Sequence, residues 1–120
     1  MASVEVKVDI NDQHIKDMID DLADDRTLFE IHNLLYKMCD PYVPFLEGPL
    51  SQTAEVSAEG VLYAVPYARY QYYGDDFHHT TERHPLASAR WDEAMMRDHG
   101  DEFKQQVTEI LRRRAQLSDR

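Results

Sequence analysis

Gln52-Thr53-Ala54-Glu55-Val56-Ser57-Ala58-Glu59-Gly60-Val61-Leu62-Tyr63-Ala64-Val65 reads as two strands, Gln52 to Ser57 and Val61 to Val65, joined at Ala58-Glu59-Gly60. Gly60 can supply the positive φ that a three-residue hairpin loop requires. Val61, Tyr63 and Val65 share one face, because side chains alternate sides along a strand.

Toward the N-terminus, Asp40-Pro41-Tyr42-Val43-Pro44-Phe45-Leu46-Glu47-Gly48-Pro49 holds three of the five prolines. Each fixes its own φ and pushes the preceding residue toward an extended shape, so the segment reads as a stiff arm. Before it, Leu28, Ile31, Leu35 and Met38 form one stripe of a helix from about Thr27 to Cys39, ended by Pro41. Ile15, Met18, Ile19 and Leu22 give a shorter helix that Asn11 or Asp12 can cap. The alternation of Val4, Val6, Val8 and Ile10 with Glu5, Lys7 and Asp9 predicts a further strand with one buried face.

Toward the C-terminus, Pro66 suits the first position of a short helix carrying tyrosines, and Gly74 stops it. Five of the seven tyrosines fall between Tyr63 and Tyr73, a density of rigid amphipathic area that suits an interface. One arrangement packs Tyr67, Tyr70 and Tyr73 against the sheet and turns Gln71 and Tyr72 outward beside Arg69. From Asp75 to Ala89 periodicity is lost, which predicts the longest loop. Trp91 reads as a core anchor opening a short amphipathic turn to Met96. A last helix from about Asp101 to Leu117 follows, with Phe103, Val107, Ile110, Leu111 and Leu117 on its stripe and Arg112 to Arg114 complementing its C-terminal dipole.

Composition narrows the function classes. At 120 residues with 42% apolar or aromatic side chains, the chain makes one domain with a core. Its 23 acids against 13 bases give a net charge of -10, which opposes attraction to a phosphate backbone and points to protein partners. The acids from Asp17 to Asp25 form a solvated face, since the run lacks the glycine and bidentate Glu of a calcium loop. No apolar run approaches the roughly 18 residues that cross a membrane, and no apolar signal core opens the chain, so a protein kept inside the cell that makes it is expected.

Signals for catalysis are weak. Cys39 is the single cysteine, reads as a buried hydrophobe, and lies two helical turns from His32, beyond hydrogen-bond reach. Ser51, Ser57 and Ser88 lack an elbow motif, and no glycine-rich phosphate loop is present. His78, His79 and His84, with Glu82 and the more distant His99, offer the alternative of a small metal-binding protein or hydrolase, but their spacing is unlike that of structural zinc sites. No catalytic residue, cofactor or metal is assigned.

The order of these words carries a resemblance. The valine-rich strand, the helix, Val43-Pro44-x-x-x-Gly48-x-Leu50, the strand pair, Pro66-Tyr67-Ala68-x-x-Gln71-Tyr72-Tyr73-Gly74 and Arg90-Trp91-Asp92 together resemble the minor capsid proteins of tailed phages and prophages. The resemblance runs from about Val4 to Phe103 and includes neck, or tail-completion, proteins. It implies an α+β fold, a small curved antiparallel sheet packed against a long helix, with short helices and a C-terminal helix. The single domain, residues 1–120, would carry a loop over 76–90 and a C-terminal extension over 112–120.

For function it implies a non-enzymatic virion protein of the head-tail connector, present in the host cytoplasm during assembly. Expected partners are head-completion or stopper proteins and tail-terminator or tail-tube proteins, with a homo-oligomeric ring on assembly, no sequence-specific nucleic acid and no membrane. The candidate protein-interface residues are Pro44, Gly48, Tyr67, Arg69, Gln71, Tyr72, Tyr73, Arg90 and Trp91. Two departures stand out: the histidine-rich loop, and the tail running through Arg112-Arg113-Arg114 to Arg120, expected to add a partner-specific surface.

Overall fold

The computed structural model describes residues 4–43, 54–63, 72–73 and 90–118. In chain order these form β1 (Val4–Val6), α1 (Gln13–Leu22), α2 (Asp25–Cys39), a 3-10 turn (Asp40–Tyr42), β2 (Ala54–Ser57), β3 (Gly60–Tyr63) and α3 (Trp91–Ser118). The class is α+β: among the described residues, three helices and an antiparallel sheet of order β1-β3-β2.

The hairpin forms as expected but turns more tightly. Ser57 pairs with Gly60, so the loop is the two residues Ala58 and Glu59. The Glu59 N–H donates to Ser57 Oγ at 3.2 Å, which steadies the turn from within. Gly60 has a φ of 153°, and a Cβ there would stand 2.7 Å from the Val6 carbonyl oxygen. A glycine at this position therefore lets β1 lie close across the start of β3.

The expected strand from Val4 to Ile10 is shorter as a ladder. Pairing with β3 ends at Val6 against Val61, although Ile10 is buried and Lys7 and Asp9 stay exposed. The physical reason lies at Val8, whose N–H donates to His32 Nε2 on α2 at 3.2 Å instead of to a strand.

Both early helices begin at aspartate caps. Asp12 Oδ1 accepts from the Ile15 N–H at 3.1 Å. Asp24 Oδ1 accepts from both the Thr27 N–H and Oγ1 at 2.8 Å, which starts α2 two residues before the expected Thr27. These bonds hold the Asp24 carboxyl below its ordinary range, the Thr27 N–H being the largest influence.

α2 packs on β2 and β3 and also against α3, burying Ile31 and Leu35 with Val61, Tyr63, Phe103, Val107 and Leu111. α3 is two helical segments meeting at His99 (φ -133°, ψ 23°), close to the separate turn and helix expected from sequence. Gly100, a poor helix former, follows the break, and the Tyr42 hydroxyl donates to Asp98 Oδ2 at 2.8 Å just before it. Farther along, Arg113 bonds Glu30 of α2, and Arg114 Nη2 lies 3.6 Å from the other Glu30 oxygen. These two arginines, expected to serve a partner surface, thus tie α3 to α2.

Candidate protein-protein interface

Pro44, Gly48, Tyr67, Arg69 and Gln71 lie outside the described residues. The other four candidates, Tyr72, Tyr73, Arg90 and Trp91, converge although sixteen residues separate Tyr73 from Arg90 in the chain. The Arg90 N–H donates to the Tyr72 carbonyl at 2.9 Å, which brings the two stretches side by side.

Beneath that bond is an aromatic stack. Trp91 is 0% exposed, and its ring meets Tyr63 edge-on at 5.1 Å and Tyr72 at 4.8 Å between centroids. Such perpendicular pairs set the positive edge of one ring against the negative face of another. The Tyr72 hydroxyl donates to Asp92 Oδ1 at 2.5 Å, so the buried ring keeps its polar end satisfied. Burial first, and then this carboxylate, push the Tyr72 hydroxyl far above the ordinary phenol range. Asp92 sits in the first turn of α3, where the helix dipole favours a negative charge.

The outward and inward tyrosines are therefore the reverse of the arrangement read from sequence. Tyr72 is 9% exposed and Tyr73 is 53% exposed. Trp91 and Tyr72 support the surface from within, and of the four only Tyr73 and Arg90 reach it. The Arg90 guanidinium carbon lies 5.3 Å from the Tyr73 ring centroid, and its Nη1 is 4.0 Å from Glu93 Oε2. Arg90 has a φ of 47°, in a left-handed region that costs a non-glycine residue about 1 kcal/mol or more. Its carbonyl accepts the Ala94 N–H at 3.0 Å, so the strained residue caps α3 while Trp91 turns inward.

Asp92, the last residue of the Arg-Trp-Asp word, joins the site beside the four candidates. The signal for it was an acid in the first turn of a helix, a position with an obvious use for a buried tyrosine. Phe29 and Leu22, exposed on α2 and α1, carried no such signal because they fall within ordinary amphipathic patterns.

The remaining chemistry is sparse among the described residues. Burial pushes the Cys39 thiol far above its ordinary range, with Asp92 and Asp40 adding to the effect, so it makes a poor nucleophile. No group of three His, Cys, Asp or Glu side chains among the described residues could hold a metal ion; His78, His79, Glu82 and His84 lie outside them. A cleft of about 660 Å³ opens beside the His99 break, its wall mixing Asp9, Asp98 and Glu102 with Lys7 and Lys104. No described helix is long and apolar enough to cross a membrane.

A family model described as minor capsid protein matches residues 4–110, and the chain belongs to that family. No curated protein and no solved structure shows a significant match. Membership makes this a structural protein of the phage particle, with other phage structural proteins as its neighbours.

Proposed function

We propose that this minor capsid protein acts in the head-tail connector, as a neck or tail-completion component that joins head to tail without catalysing a reaction. The observation that carries the reading is the Tyr73 and Arg90 surface, stacked at 5.3 Å over the buried Tyr72 and Trp91 and the half-buried Asp92. Tyrosine and arginine are the residue types on which binding energy concentrates, and a rigid support lowers the entropy lost when a partner docks. A net charge of -10 supports contacts with proteins rather than with the DNA that passes between head and tail. The neighbours proposed are a head-completion or stopper protein on one side and a tail-terminator or tail-tube protein on the other, with several copies closing into a ring.

Tyr73→Ser combined with Arg90→Gln tests this reading. Both side chains are at the surface, so the purified variant should keep its melting temperature within about 2 °C, as surface changes ordinarily do. Its incorporation into particles should fall about tenfold or more, the result of losing a hot-spot pair. The readout is the fraction of heads that carry tails after complementation. Normal incorporation and normal tail joining by the variant would sink the proposal.

A further inference from the structure

We propose that His32 is an acid-released latch that holds the N-terminal strand against the body of the protein. His32 is only 3% exposed and sits on α2 facing the chain just beyond β1. Its Nε2 accepts the Val8 N–H at 3.2 Å, which fixes the neutral tautomer with the proton on Nδ1. Nδ1 is buried on the side of the Ser57 and Ala58 carbonyls and, among the described residues, forms no hydrogen bond of good geometry. A buried imidazole with one nitrogen committed to accepting is held in its neutral form. Adding a proton to Nε2 would set two donors face to face and leave a cation almost out of water.

From the β1 side, Glu5 favours the cation and Lys7 opposes it, and these two pair with each other at 3.4 Å. From the hairpin, the Ser57 and Ala58 carbonyls favour the cation, while Glu55 and Glu59 are exposed. Burial outweighs these and lowers the His32 pKa below its ordinary 6.5. The folded form therefore binds fewer protons than the opened form. Its stabilisation is complete above about pH 6.5 and is lost as pH falls from there toward the folded value.

What opens is local. β1 contributes three ladder residues, and the Val8 bond continues its attachment past the last of them. Breaking that bond uncovers the β3 edge from Val61 to Tyr63, an unpaired strand edge being a ready template for a neighbouring chain.

Amide hydrogen exchange on the full chain, corrected for intrinsic rates, tests the latch. Protection at Val6 and Val8 should fall by up to about tenfold between about pH 7 and about pH 5.5, because the opened form takes up a proton near 6.5 that burial disfavours in the closed form. Amides of Val107 and Leu111 should change much less. His32→Gln, whose side-chain oxygen can accept from Val8 without titrating, should remove the pH dependence. Unchanged protection in the wild type, or the same fall in His32→Gln, would overturn the latch. Should that variant fail to fold, the wild-type His32 titration read by NMR decides: a pKa at or above 6.5 overturns it, and a value clearly below supports it.

Discussion

Trp91→Ala should cost about 3–5 kcal/mol of folding stability, the range for truncating a buried large aromatic residue. Trp91 is among the largest fully buried side chains and touches both Tyr63 of the central strand and Tyr72 next to the surface pair. Its removal therefore leaves a cavity where the sheet, the tyrosines and the start of α3 meet. A domain of this size holds about 5–15 kcal/mol in total, so the variant should be partly unfolded under conditions in which the wild type is fully native. Urea unfolding followed by circular dichroism gives the value, since the substitution removes the chain's single tryptophan as a fluorescent probe. Trp91→Phe retains much of the ring area and should lose markedly less. A loss below about 1 kcal/mol for Trp91→Ala would show that the core closes without its anchor.

Tyr72→Phe separates the hydroxyl from the ring at the same place. Loss of the bond to Asp92 leaves the carboxylate facing an apolar edge, yet Asp92 can turn toward water. The change in stability should be about 1–2 kcal/mol, clearly less than for Trp91→Ala. The ordering of these two variants tests whether packing or the polar closure dominates the support beneath Tyr73 and Arg90.

Much of the fold was legible because period reports burial. The alternation from Val4 to Ile10 marked a buried face correctly, but burial is not pairing, and the ladder stops where Val8 turns to His32. That contact joins residues 24 positions apart, and a histidine among Leu34, Leu35 and Ile31 carries no mark of its partner. The hairpin was legible through Gly60; the same glycine signals two- and three-residue loops alike, so the turn length was not. The surface pair shows the limit most clearly. Clustered tyrosines signal contact area, but which of Tyr72 and Tyr73 faces inward is decided by Asp92, on a different element. Likewise, nothing in Arg90 as a residue announces a left-handed backbone, a conformation dictated by the turn from Tyr72 into Trp91.

Two glycine substitutions should move stability in opposite directions. Gly60→Ala places a methyl group 2.7 Å from the Val6 carbonyl oxygen, a backbone atom that cannot swing aside as a side chain would. It also forces an L-residue to hold a φ of 153°. The two effects add to an expected loss of about 2–4 kcal/mol, and relief requires β1 to move off β3. Gly100→Ala meets only the flexible Met96 Cε at 3.6 Å, in ordinary van der Waals contact, and requires no positive φ. There the methyl restricts the unfolded chain and favours the helix resuming after His99, so a gain of about 0.4–1 kcal/mol is expected. Thermal unfolding of the two variants beside the wild type checks both signs. If Gly60→Ala proved neutral, the close crossing of β1 over β3 would be wrong. If Gly100→Ala proved strongly destabilising, the break at His99 would depend on a backbone freedom that only glycine has.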